Sequence, residues 1–172
     1  MGANHARVIA ESEGAELAVI IDTDPERVRP LADRLGCAFA EDLDAATDCD
    51  AAVIATPTAF HADAARALLE LGKPILVEKP VTPDLATSRA LVLCADRHGV
   101  PLMCGFVERF NPVVATMRSL LDGEPVHIVG LRHSPETPRS TLSVVFDLLI
   151  HEIDLALCYM GGAGASARGS AR

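Results

Sequence analysis

The chain has 172 residues, 49% of them hydrophobic and 23% charged, which suits one ordinary domain or slightly more and argues against intrinsic disorder. A formal net charge of -9 argues against a nucleic-acid or anionic-membrane surface, and no apolar run approaches the roughly 20 residues of a membrane span. The five cysteines (Cys37, Cys49, Cys94, Cys104 and Cys158) are odd in number and never spaced C-x-x-C, so reduced thiols in a cytoplasmic protein are expected, with neither a disulfide framework nor a metal site.

The opening stretch, MGANHARVIAESEG, has no uninterrupted apolar segment and does not read as a signal peptide. After it, strands and helices alternate. AELAVIID (15–22) reads as a buried strand. PERVRPLADRLG (25–36) reads as a helix with Asp24 as N-cap, Pro25 at the first helical position and Gly36 as stop; Pro30 sits awkwardly inside it. CAFA (37–40) is a short strand, EDLDAAT (41–47) a short helix and DAAVIAT (50–56) a strand. AFHADAARALLELG (59–72) is a helix, KPILVE (73–78) a strand, PDLATSRALVLCADRHG (83–99) a helix and VPLMCG (100–105) a strand. Strands joined by such helices make right-handed βαβ crossovers, which predicts a parallel sheet with strands at 16–21, 51–55, 74–78 and 101–104.

The rhythm changes after Gly105. VERFNPVVATMRSLLDG (107–123) reads as a helix and PVHIVGLRHS (125–134) as a strand with one wet face. PETPRST is a loop, LSVVFDLLIHEIDLALCYMG (142–161) a long helix, and GAGASARGSAR a tail of small residues. The natural cut divides the chain into 1–106 and 107–172.

A doubly wound sheet binds its ligand at the carboxyl ends of its strands. The residues that matter are then Asp22, Thr56-Pro57-Thr58, Glu78-Lys79-Pro80 and Glu108-Arg109. Asp22 lies twenty residues after Gly2, the spacing at which an acid takes ribose hydroxyls, although only the last glycine of G-x-G-x-x-G is here. The other reading of Asp22 is a solvated helix cap. ATPTAFH (55–61) sets small residues at a strand end and then starts a helix, which admits a ligand to backbone and helix N-terminus; taken by itself the stretch reads as an ordinary proline turn. In Glu78-Lys79-Pro80, the proline fixes the turn and lacks an N–H, and Lys79 projects where a nicotinamide ring would sit. An ammonium there could hold a substrate oxygen that gains charge, or be a surface lysine beside a surface glutamate. In FDLLIHEIDLAL, Asp147, His151 and Asp154 stand at i, i+4 and i+7 on an otherwise apolar helix, a costly stripe unless paired or lining a cleft. His151 is suited to exchanging a proton near neutral pH, or to pairing with an acid on a solvated face.

GANHARVIAESEGAELAVIIDTDPERVRPLADRLG, AVIATPTAFHADAARALLELGKPILVEKPV and DLLIHEID together resemble the Gfo/Idh/MocA oxidoreductases, from Gly2 to about Gly162. The resemblance implies an N-terminal Rossmann domain and a C-terminal α/β domain. It also implies hydride transfer between NAD, with NADP as the alternative, and a hydroxyl carbon of a sugar, nucleotide sugar or polyol. By resemblance Lys79 lies near the nicotinamide and the reacting hydroxyl, His151 is the general acid/base, and Asp147 shares the substrate site. Asp22 holds the adenosine ribose and favours NAD, a cis peptide precedes Pro80, and VERFNP links the domains. The expected cofactor residues are therefore Gly2, Asp22, Thr56, Pro57, Thr58, His61, Glu78, Lys79 and Pro80. Lys79, Arg109, Asp147, His151 and Asp154 are expected at the substrate. GFVERFNPVV and DLLIHEIDL look closest to the nucleotide-sugar and inositol dehydrogenase branches.

The departures from the family matter as well. Met1-Gly2 aligns with the end of the glycine motif, and GGAGASARGSAR stops where the family continues for roughly another domain. The expected fold is thus α/β, a Rossmann-type doubly wound parallel sheet lacking its first strand, then the truncated start of an α/β substrate domain. A small-molecule substrate is expected, with no nucleic acid or membrane, and a homo-oligomer is compatible with a complete form. The alternative is an inactive remnant that serves at most as a nucleotide-binding or interaction module.

Overall fold

The computed structural model describes residues 1–123, 125–133 and 143–161. Two compact units divide it, Met1–Gly105 and Phe106–Arg172.

The first unit opens with helix α1 (Gly2–Ala10), a segment with no assigned element in the sequence reading. Strand β1 (Val19–Ile21) and β2 (Ala38–Ala40) pair in parallel, with Val19 opposite Ala38. Strands β3 (Ala52–Ile54), β4 (Ile75–Val77) and β5 (Leu102–Cys104) form a second parallel sheet in that order. All of the predicted strands of this unit are present and pair in parallel, but the single sheet expected is divided into two, with β1 bonded only to β2, and each strand keeps only three paired residues. A strand extends only as far as its neighbour offers N–H and C=O groups to pair, so 15–22 shortens to the span that β2 matches.

Between them run α2 (Pro25–Leu35), α3 (His61–Glu70) and α4 (Leu85–His98). Their ends are set by local chemistry. Asp24 accepts from the Arg27 N–H at 3.3 Å and Pro25 opens α2, while Asp84 accepts from the Thr87 N–H at 2.8 Å to open α4. Gly36 (φ 70°) and Gly99 (φ 65°) end these helices in the left-handed conformation that a side chain resists. Helix α2 passes through Pro30, and both Pro30 and Glu26, the residue one turn earlier that loses its hydrogen bond, are exposed. Residues 41–47 narrow to a 3₁₀ turn, Leu43–Ala46, and another, Thr58–Phe60, leads into α3. The core joins Ile54, Ile75 and Val77 of the sheet to Ala65, Leu68 and Leu69 of α3 and Leu91, Cys94 and Ala95 of α4. It holds no aromatic side chain, in keeping with a chain of 3% aromatics.

In the second unit the helix expected over 107–123 splits. A 3₁₀ turn, Val107–Phe110, ends at Asn111, whose side chain accepts from the Val113 N–H at 3.0 Å and starts α5 (Pro112–Leu120). Pro112 at the first helical position forces that restart, because residue 111 before it is pushed out of the helical region. The strand expected over 125–134 is absent across the described 125–133, which carry no regular structure. Its alternating apolar positions have no partner strand among the described residues: Val126 is 99% and Leu131 83% exposed. An unpaired strand has no ladder to hold it. The long helix expected over 142–161 begins instead as a π turn, Val145–Leu149, and continues as α6 (Ile150–Tyr159). The loop over 135–141 and the tail from 162 onward lie outside the described residues.

Candidate active site

In the first unit, β3, β4 and β5 end level with one another, since Ile54 pairs with Val77 and Val77 with Cys104. The next residues, Ala55, Glu78 and Gly105, therefore stand side by side at the carboxyl edge. The Glu78 N–H donates to the Ile54 carbonyl at 2.9 Å, and the Gly105 N–H donates to that of Val77 at 2.8 Å. Lys79 follows on the central strand, half-buried, and the Lys79–Pro80 peptide is cis. Helix α1 begins beside this edge: a Cβ added to Gly2 would lie 3.7 Å from that of Ala55. No side chain caps the start of α1.

Glu78 is 7% exposed. Its carboxylate accepts from His5 Nε2 of α1 at 2.6 Å. A side chain at position 105 would press on it, since a Cβ there would sit 3.3 Å from its Cδ and Oε1. With glycine at 105, Glu78 needs no adjustment. His5 has no role in the sequence reading, because the helix that carries it was not assigned there and its partner Glu78 lies 73 positions away.

Thr56 and Pro57 are exposed and Thr58 half-exposed. His61 is 1% exposed, with Nδ1 2.9 Å from the Pro80 carbonyl and Nε2 2.9 Å from that of Thr56. Each ring nitrogen faces a backbone carbonyl rather than open space. Asp22 follows β1, and its backbone N–H donates to the Ala40 carbonyl at 3.1 Å. Arg27 Nη2 donates to both Asp22 oxygens, at 2.7 and 2.6 Å, and this contact holds the Arg27 guanidinium above its ordinary value.

The second unit carries a charged network of its own. Asp154, 6% exposed, accepts from Arg109 Nε at 2.7 Å and also from its Nη2. Arg132 donates to Glu152 Oε1 at 2.6 Å and to Glu108 Oε1 at 3.1 Å. Glu108 Oε2 accepts from Asn111 Nδ2 at 3.1 Å. The Asn111 hydrogen bond first, then Arg132, hold the Glu108 carboxyl below the ordinary glutamate range, and His151 adds to this electrostatically. A carboxyl lowered in this way stabilises the fold fully above its unfolded value. That contribution is lost as the pH falls through the lower folded value. Glu108→Gln should therefore cost stability near neutral pH, and its difference from wild type should shrink on acidification below the ordinary glutamate range. Urea unfolding at two pH values checks this; a pH-independent difference would contradict it.

His151 is buried on α6, and Asp147 lies half-buried in the π turn. π turns inside helices often occur at functional sites. A cavity of ≈ 120 Å³ between α5 and α6 has Arg109, Arg118, Cys158 and Tyr159 in its wall, and neither Asp147 nor His151. We place no chemistry there. Among the described residues no group of three or more His, Cys, Asp or Glu could hold a metal ion, and no helix is long and apolar enough to cross a membrane.

The first unit coincides with a known pattern: residues 1–106 match the model of the Gfo/Idh/MocA oxidoreductase family, NAD-binding Rossmann fold. The chain belongs to this family. An inositol 2-dehydrogenase of Mycolicibacterium gilvum (strain PYR-GCK) is 35% identical over 178 residues, covering 96% of this chain and 51% of the relative. An inositol 2-dehydrogenase of Rhodococcus jostii (strain RHA1) is 38% identical over 167 residues, covering 90% and 46%. The solved UDP-N-acetylglucosamine 3-dehydrogenase of Acidithiobacillus ferrooxidans superposes with a TM-score of 0.86 at 32% identity, covering 92% of this chain and 52% of that one. The chain spans about half the length of the curated relatives it matches. The carboxyl edge has room for the family's dinucleotide: no side chain caps the start of α1 beside it, and Gly2 and Ala55 bring little bulk there.

Proposed function

We propose that this protein is an NAD-dependent dehydrogenase acting on a hydroxyl carbon of a polyol or nucleotide sugar. Residues 1–106 bind the dinucleotide, and 107–172 begin the substrate side. The observation that carries the reading is Lys79, just past the end of the central strand β4 and next to the buried Glu78 on the carboxyl edge. The relatives are named for inositol and for UDP-N-acetylglucosamine, which supports the substrate class.

NAD, when bound, takes or gives the hydride. Lys79 steadies the reacting oxygen with its ammonium, and His151 takes or returns the hydroxyl proton. Asp147 orients the substrate or raises the basicity of His151. Gly2, Thr56, Pro57, Thr58, Glu78 and Pro80 shape the cofactor side of the site. Arg109 and Asp154, expected at the substrate, bond to each other, so their part is to shape the wall as a pair. The test is to mix the chain, and the longest in-frame form of its gene, with NAD and a panel of inositols and nucleotide sugars while following reduced nicotinamide. Substrate-dependent reduction supports the reading. NAD binding without turnover in both forms would leave a nucleotide-binding module.

The cofactor choice has its own test. Asp22 repels a 2′-phosphate and also occupies Arg27, a cation that could otherwise receive one. Asp22→Ser removes the repulsion and releases Arg27 together. We expect the ratio of NADP to NAD affinity to rise by about tenfold or more, a shift of about 1.4 kcal/mol. An unchanged ratio in titrations with both nucleotides would remove Asp22 from the ribose site.

A further inference from the structure

The residues on either side of Lys79 are each held by a histidine from a different helix. On one side His5 of α1 bonds the buried Glu78 carboxylate at 2.6 Å. On the other, His61, the first residue of α3, sits 2.9 Å from the Pro80 carbonyl and 2.9 Å from the Thr56 carbonyl. Pro80 has no N–H, so its carbonyl is its only backbone polar group, and the contact with His61 fixes the far side of the corner. Thr56 ends the neighbouring strand's exit, so the same ring ties the corner to the loop after β3.

We propose that His5 and His61 are positioning residues for Lys79, bracing the two peptides that carry it. The inference rests on the reading of Lys79 as the reactive lysine. An ammonium on a four-carbon stem is only as well placed as the backbone beneath it. Here the backbone enters from the central strand, turns at Pro80 and is buttressed from both flanks. Gly105 completes the bracing by leaving Glu78 the space to reach His5. Both acceptors of His61 are carbonyl oxygens, so a doubly protonated ring serves them together and a neutral ring serves one at a time. Neither histidine needs to touch substrate for this role.

The experiment compares apolar with hydrogen-bonding replacements in the full-length protein encoded by the gene: His5→Leu and His5→Gln, His61→Phe and His61→Gln. A glutamine amide still donates N–H groups, and the apolar side chains do not. We expect the apolar variants to lose roughly 10- to 100-fold in kcat, the scale of a small misplacement of a reacting group. Their KM and NAD affinity should stay within about threefold, and the glutamine variants should recover most of kcat. A second readout needs no turnover. Hydrogen exchange at the Glu78 and Lys79 amides of nucleotide-free protein should quicken by about tenfold in the apolar variants alone. If His61→Phe does not fold, the His5 pair decides, because His5 is partly exposed and tolerates replacement better. Wild-type kcat and exchange in the apolar variants would overturn the proposal. So would equal losses in the glutamine and apolar variants, or losses of NAD affinity as large as those of kcat. A Lys79→Ala protein with wild-type turnover would instead defeat the reading of Lys79, and the exchange rates would still decide whether the histidines brace the corner.

Discussion

Lys79→Ala in the active protein should lower turnover by ~10²–10⁴-fold while NAD affinity changes by no more than a few-fold. The expectation follows from where the side chain starts. Residues 75–77 pair on both sides, with β3 and with β5, so Lys79 leaves the best-supported strand of the sheet. His5 bonds the Glu78 carboxylate and His61 lies 2.9 Å from the Pro80 carbonyl, so the residues on either side of Lys79 are held. In the proposed mechanism the Lys79 charge acts on a developing oxyanion more than on the ground state, so kcat falls and binding does not. His151→Ala should give a loss of the same order, since a positioned acid/base is worth about that factor. Single-turnover kinetics with NAD titrations separate the effects. Near-wild-type turnover in either variant would remove that residue from the chemistry.

The second large effect is on stability. Asp154→Ala should destabilise the protein by about 2 kcal/mol, because it deletes a carboxylate that accepts two hydrogen bonds from Arg109. The figure is held below that of a fully buried ion pair because the Arg109 side chain is 48% exposed and water screens it. Asp154→Asn keeps one acceptor and should cost less. Urea midpoints of the three proteins measure this. A loss under roughly 0.5 kcal/mol would mean that the pair adds little to the fold, and would return Asp154 to the candidates for substrate recognition.

What the sequence determined by itself is the part written in short-range chemistry. Asp24 with Pro25 and Gly36, and Asp84 with Gly99, mark their helices because a cap bonds within about four residues and a left-handed glycine needs no distant partner. The apolar runs ending at Ile54, Val77 and Cys104, separated by helices, were enough for a parallel sheet. Lys79 could be placed at its edge because a strand end followed by proline is a local signal. The tertiary structure alone decided what depends on residues far apart. His5 and Glu78 are 73 positions apart, Arg109 and Asp154 45, and no spacing rule links either pair. His61 reads in the sequence as a cofactor contact, and the fold sets both of its nitrogens against backbone carbonyls. The alternation over 125–134 reads as strand, yet its described part forms none, because a strand exists only through a paired neighbour, and pairing belongs to the fold rather than to the segment.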